Sequence, residues 1–165
     1  MIIKYKNKNL YINQFKLKCC IGKAGIKKKK EEGDKATPSG IYGLGNLYFR
    51  KDRIGSLKTN LKKIIINKNM GWCNDARSNQ YNKMIKISKN SKFTYEKLFR
   101  NDYKYDLLIP ILYNYLNTKK LKGSAIFIHL TKDFKPTVGC IGLCKKDFLI
   151  LLKLINKNSK IKIIN

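Results

Sequence analysis

Apolar and polar positions alternate from the first residues of the chain. IIKYK (2–6), NLYINQF (9–15) and KLKCCIG (16–22) alternate or cluster β-branched and aromatic residues, a strand signature. The KNKN at 6–9 between the first two predicts a hairpin turn. Strand character returns at IYGLGNLYF (41–49), KKIIIN (62–67) and KMIKIS (83–88), whereas TYEKLFR (94–100) reads as one or two helical turns. YDLLIPILYN (105–114) is a nearly continuous apolar run, fitting a buried strand with Pro110 at a bulge or at a demoted far end. SAIFIHL (124–130) is the next strand, and its period of two places Ala125, Phe127 and His129 on one face. KKDFLILLKLINKN (145–158) has the length and apolar density of a helix, and IKIIN (161–165) closes the chain as a strand.

Two segments break the pattern. Residues 23–40, KAGIKKKKEEGDKATPSG, are too polar and too rich in Gly, Pro and Ser for a core element. The lysines at 27–30, followed by Glu31 and Glu32, read as an exposed charge run with no catalytic role. NMGWCNDARSNQYN (69–82) is turn-rich but carries Trp72 and Tyr81, and loops ordered by large aromatics often wall a site. Many short strands with one late helix predict a mainly β fold, one domain over residues 1–165, without repeats or a dividing linker.

Charge changes this picture less than its size suggests. The formal net charge of +27 invites a nucleic-acid reading, because clustered cations release counterions from phosphate. Yet only Arg50, Arg53, Arg77 and Arg100 are arginines, and readers of nucleic acid favour the arginine fork. Lys, Ile, Asn and Tyr are inflated together, as an AT-rich genome would produce. No specific nucleic-acid partner is therefore expected, although anionic surfaces such as acidic polymers or lipid headgroups would attract the chain.

Five cysteines (Cys19, Cys20, Cys73, Cys140, Cys144) form no disulfide framework, and those other than Cys140 read as small buried hydrophobes. One histidine and one cysteine pair without a partner pair do not make a metal site, and no cofactor is expected. MIIKYKNKNLYINQFKLK interrupts every apolar run, so it has no signal-peptide core, and nothing approaches an uninterrupted transmembrane span. As written, the chain is expected to be soluble.

IFIHLTKDFKPTVGCIGL (126–143) carries the candidate chemistry. A thiol is a nucleophile only as thiolate, and a neutral histidine both takes its proton and returns it to a leaving amine. His129 ends a predicted strand and Cys140 follows a polar, Pro-containing loop that allows the two to meet. Gly139 permits a positive φ and lets a substrate carbonyl approach backbone N–H groups, as an oxyanion hole requires. Thr137 can fix the turn by local hydrogen bonding. On these residues alone a nucleophile–base pair and a buried histidine beside an inert thiol both stand.

The string PTVGCIGL after GSAIFIHL resembles the active segment of the YkuD-type L,D-transpeptidase catalytic domain, a histidine, a loop, then Ser/Thr-x-Gly-Cys. GDKATPSGIYGL (33–44) is similar to that family's Gly-Asp…Thr-Pro-x-Gly-x-Tyr segment. GWCNDARSNQYN (71–82) and YDLLIPILYN (105–114) resemble stretches of one branch of it, so the resemblance spans about residues 22–152. It implies a β-sandwich-like catalytic domain. It also implies a cysteine acyltransferase that forms a thioester with a peptidoglycan stem tetrapeptide and transfers it to another stem's side-chain amine, giving a 3→3 cross-link. Cys140 is then the nucleophile, His129 the base, Gly139 part of the oxyanion region with the Cys140 N–H as donor, and Thr137 the Ser/Thr of the motif. Trp72, Tyr81 and Asn114 are candidates to line the substrate groove; the alternatives are anchoring of a long loop for Trp72 and Tyr81 and an Asx turn for Asn114. A backbone carbonyl, rather than an acid, is expected to orient the imidazole. The family implies a periplasmic or cell-envelope location.

The chain departs from the family pattern at Leu130, where many members have Gly, and at Gly142, where many carry an Arg suited to a substrate carboxylate. Lys132 and Lys135 read first as solvated loop lysines, with replacement of that cation as the alternative. Two other readings compete: an L,D-carboxypeptidase on the same scaffold, and a non-catalytic basic module that binds wall or nucleic acid.

Overall fold

A computed structural model describes residues 1–28 and 31–164. Of the lysine run at 27–30, Lys29 and Lys30 lie outside the described residues, while Lys27, Lys28 and Glu31 are exposed.

The chain is mainly β. The N-terminal meander is β1 (Ile2–Lys6), β2 (Asn9–Ile12) and β3 (Phe15–Cys20), with tight turns in which Asn7, Lys8 and Asn13 take positive φ. Two short strands follow, β4 (Ile26–Lys27) and β5 (Thr37–Pro38), paired in parallel across the polar segment. Then come β6 (Gly40–Gly43), β7 (Leu47–Phe49) and β8 (Lys63–Ile65). β9 (Met70–Cys73), β10 (Met84–Lys86) and β11 (Tyr95–Lys97) make a separate three-stranded sheet with β9 in the centre. β12 (Leu107–Pro110), β13 (Phe127–Leu130), β14 (Ile141–Leu143), helix α1 (Lys145–Leu154) and β15 (Lys160–Ile163) complete it.

Ten strands join in one sheet in the order β6-β15-β1-β2-β3-β14-β13-β12-β7-β8. The sheet curls. Leu44, just past β6 at one edge, bridges Ile111, just past β12 near the other, and Leu112 N–H donates to Gly43 O. Inside the curl one apolar core collects Ile3, Leu10, Leu17, Leu107, Ile128, Ile141 and Ile161. Helix α1 covers it with Phe148, Leu151 and Leu152, the i, i+3, i+4 stripe of an amphipathic helix. The opposite face of β12 and β13 carries a second, aromatic cluster of Tyr48, Trp72, Tyr105, Phe127 and Cys140, which seats the three-stranded sheet. The β13 alternation is as the sequence predicts: Phe127 and His129 face the aromatic side, Ile128 and Leu130 the main core.

Three readings change. Residues 95–97 are a strand rather than helical turns, because Tyr95 and Lys97 pair with Cys73 and Gly71 of β9. The turn-rich 69–82 segment holds the buried central strand β9. The strand expected over 124–130 begins only at Phe127, since Ala125 takes a φ of 53°. Pro110 ends β12, opposite Phe127.

Candidate active site

β13 and β14 run parallel, with His129 paired to Gly142 and Ile128 to Ile141. Cys140 stands two residues before Gly142, so its side chain shares the face of His129 one pleat back. Both line one cleft of about 590 Å³, together with Thr137, Tyr105, Glu96 and Arg100.

Each side chain is held by backbone. The His129 Nδ1 lies 2.9 Å from the carbonyl oxygen of Leu130. A carbonyl only accepts, so Nδ1 carries the proton and Nε2 is left basic. The orienting group is thus a main-chain atom, for which the Leu130 side chain is irrelevant. Burial holds the imidazole below its ordinary value; the Leu130 carbonyl opposes this, and the Lys104 and Arg100 cations add to it. The ring packs edge-on against Tyr105 at 5.7 Å, and the Tyr105 hydroxyl donates to the half-buried Glu96 carboxylate. The Cys140 Sγ accepts from Phe127 N–H, and its thiol donates to Ala125 O, each at 3.3 Å.

The turn before Cys140 is tied twice. Thr137 Oγ1 donates to Cys140 O at 2.6 Å and accepts from Gly139 N–H at 3.1 Å. Gly139 has a φ of 137°, and a Cβ there would stand 2.9 Å from Ala36 O. Its contribution is therefore conformational, since its own N–H is engaged with Thr137. Its carbonyl accepts from Thr37 Oγ1 at 2.8 Å, and that same oxygen accepts from Gly22 N–H at 2.8 Å. Thr37, fully buried, is a positioning residue that sequence reading missed; the Thr-Pro segment carrying it was visible, but its partner was not.

The three groove candidates are placed differently. Among the described residues the cleft lining does not include Trp72, Tyr81 or Asn114. Trp72 is buried against Phe127 and donates its Nε1–H to Asn82 Oδ1 at 2.9 Å. The Tyr81 hydroxyl donates to Glu32 and accepts from Gly123 N–H. Asn114, at a φ of 50°, ties its own loop through Lys119 and Gly123. All three hold the cleft's walls from behind, because their polar atoms are engaged in anchoring loops. Asn82 is the hub the sequence did not reveal: its Oδ1 also accepts from Ala125 N–H, and its Nδ2 donates to Tyr113 O and Asn114 O.

Gly142 leaves no room for a larger residue. A Cβ there would lie 2.6 Å from Cys20 Sγ and 3.1 Å from Thr131. Of the two replacement cations, Lys132 sits over the Tyr103 ring, and Lys135 lines the cleft but pairs with Asp133 at 3.2 Å. Lys104 and Arg100 also line the cleft, and their charges disfavour the imidazolium. Cys19 is pushed up to about 12, chiefly by burial and then by Cys20, and burial raises Cys20. Neither is a thiolate at neutral pH.

Fold and cleft together define a mainly β domain presenting a thiol and a neutral imidazole on adjacent strands. The model of the YkuD L,D-transpeptidase catalytic domain matches residues 1–163, and the chain belongs to that family, whose members modify peptidoglycan at the cell envelope. A solved structure, the helical cell shape determining protein Pgp2 from Campylobacter jejuni, shares the fold with a TM-score of 0.51 at 18% identity. The alignment covers 98% of this chain and 46% of that one, so the chain spans about half of its relative. No curated protein matches the sequence significantly. Among the described residues no helix is long and apolar enough to cross a membrane.

Proposed function

We propose that this protein is a cysteine-dependent L,D-transpeptidase acting on peptidoglycan stem tetrapeptides. The observation that carries this reading is the shared face of His129 and Cys140, with Nδ1 fixed by Leu130 O and Nε2 left as base. The Cys140 thiol gives its proton to His129 Nε2, and the thiolate attacks the carbonyl carbon of the third residue, a diamino acid. The oxyanion is met by the Cys140 N–H, in a turn set by Gly139 and Thr137. Collapse breaks the peptide bond, and the imidazolium returns its proton to the departing D-alanine amine. The thioester is then attacked by a side-chain amine of a second stem; His129 takes that amine's proton and delivers it to the departing sulfur. A 3→3 cross-link and the free thiol result.

The cleft chemistry supports a zwitterionic peptide. Lys23, Lys35 and Lys104 line it together with Glu32 and Glu96, so its lining carries charges of both signs. The test is incubation with tetrapeptide stems followed by mass spectrometry of the muropeptides. Cross-linked dimers that disappear in Cys140→Ala are expected. Release of D-alanine without dimers would make the enzyme an L,D-carboxypeptidase instead, and binding without either product would leave a non-catalytic module.

A further inference from the structure

Strand register gathers charge that the sequence scatters. On β1, Ile2, Lys4 and Lys6 point away from the core; on β3, Lys16 and Lys18 do so; on β15, Lys160 and Lys162. Lys4 pairs directly with Lys162 on one side and with Tyr11 on the other, and Tyr11 pairs with Lys16. Ile41 of β6 pairs with Lys162, Ile2 pairs with Lys160, and Lys6 and Lys18 flank Asn9 in the next row. Neither Asp nor Glu occurs in β6, β15, β1, β2 or β3. Among the described residues none of these lysines joins an ion pair. Like charges set directly opposite are destabilising, so the pairing of Lys4 with Lys162 is a cost to the fold.

Apolar side chains interrupt this basic face. Ile2 is 49% exposed, Ile41 54% and Ile164, two residues beyond Lys162, 46%. Exposed isoleucines scattered singly would need no explanation, but these stand in register among the lysines. Five strands at about 4.8 Å spacing make the array about 20 Å wide measured along the curved sheet. It is a two-dimensional field of ammonium groups with branched aliphatics and one tyrosine, Tyr11, between them, and it contains no arginine. A linear polyanion is better met by a groove, arginine forks and stacking aromatics. A headgroup layer suits this pattern: lysines reach phosphate on long stems while isoleucines enter the acyl boundary.

We propose that the outer face of β6-β15-β1-β2-β3 docks on an anionic phospholipid bilayer. The face continues across β3 into the site, because Cys20, on the same side as Lys16 and Lys18, pairs with Gly142, which pairs with His129. Lys18 also caps the Phe134 ring in the loop between His129 and Cys140, at 4.7 Å. Docking therefore sets the cleft at the margin of the membrane surface. This inference is independent of the acyl-transfer chemistry.

The test is sedimentation of the full chain with vesicles of phosphatidylglycerol and phosphatidylcholine, against phosphatidylcholine alone, at physiological salt. Binding to the anionic vesicles alone is expected. Each lysine near such a surface is worth about fivefold in partition, so Lys4→Gln/Lys16→Gln/Lys162→Gln lowers binding by roughly 100-fold. The control Lys58→Gln/Lys68→Gln/Lys89→Gln, removing equal charge elsewhere, retains it. Ile2→Ser/Ile41→Ser weakens vesicle binding but not binding to duplex DNA. Equal loss in both lysine triples would assign the effect to net charge and overturn the proposal. So would equal binding to neutral vesicles, no binding at all, or Ile2→Ser/Ile41→Ser binding as the wild type. Tighter binding to DNA or to purified sacculi than to the anionic vesicles would overturn it in favour of a polymer.

Discussion

Thr37 Oγ1 donates to the carbonyl oxygen of Gly139 at 2.8 Å, joining segments far apart in sequence immediately beside the nucleophile. Thr37 Oγ1 itself accepts from Gly22 N–H, so one buried hydroxyl satisfies two backbone groups. Thr37→Val keeps the shape and removes both bonds. Each orphaned group costs about 1–3 kcal/mol, so urea denaturation is expected to show a loss of about 2–4 kcal/mol, with slower acylation. Thr37→Ser should restore both. A Val variant as stable as the wild type would mean that the contact does not hold the turn.

His129 is held neutral, which fixes the sign of its pH dependence. Its folded value is depressed below the ordinary value of about 6.5, so as pH falls the unfolded chain binds the proton first. The stability this group contributes is complete above about pH 6.5 and is lost as pH falls through the lower, folded value. The acid limb of kcat/KM for acylation should accordingly lie below pH 6.5. Stability profiles of wild type and His129→Gln should converge in acid; profiles that stay parallel would remove histidine from the linkage.

Gly142 and Cys20 should behave as a coupled pair. Gly142→Ala forces a methyl against a sulfur at 2.6 Å, an overpacking expected to cost about 1–3 kcal/mol. Cys20→Ala opens that volume, so the double variant should be less destabilised than the sum of the singles by more than about 0.5 kcal/mol. Strict additivity in a thermal-unfolding cycle would show that the sulfur is not the obstacle.

Asn82 joins Trp72, Ala125 and the 113–114 backbone. Asn82→Ala leaves several buried groups unpaired, and a loss of about 3 kcal/mol or more is expected. The φ of 60° at this position adds to the cost, since asparagine tolerates it better than alanine. Because Ala125 O meets the Cys140 thiol, alkylation of that thiol should also change. A variant of unchanged stability and alkylation rate would exclude Asn82 as the hub.

What the sequence made legible follows from range. The meander, α1 and the β13 alternation rest on local periodicity, and Ile128 against His129 on opposite faces is read directly from it. β9 was illegible because Met70–Cys73 is buried throughout and shows no alternation, inside a segment whose Asn and Gly residues signal turns. Tyr95–Lys97 has helical composition and is made a strand by pairing with β9. His129, Cys140, Gly139 and Thr137 were named from one short segment. Thr37, Asn82, Tyr105 and the Leu130 carbonyl were not, because each acts through a partner that only folding supplies. For Trp72 and Tyr81 the sequence leaves groove lining and loop anchoring open, and for Asn114 the resemblance and an Asx turn; their hydrogen bonds are those of anchors.

The most direct test of the central claim is intact-protein mass spectrometry after incubation with a stem tetrapeptide. A transient adduct equal to the acyl tripeptide is expected on the wild type, none on Cys140→Ala, and little on His129→Gln. An adduct of that mass on Cys140→Ala would contradict the assignment of the nucleophile.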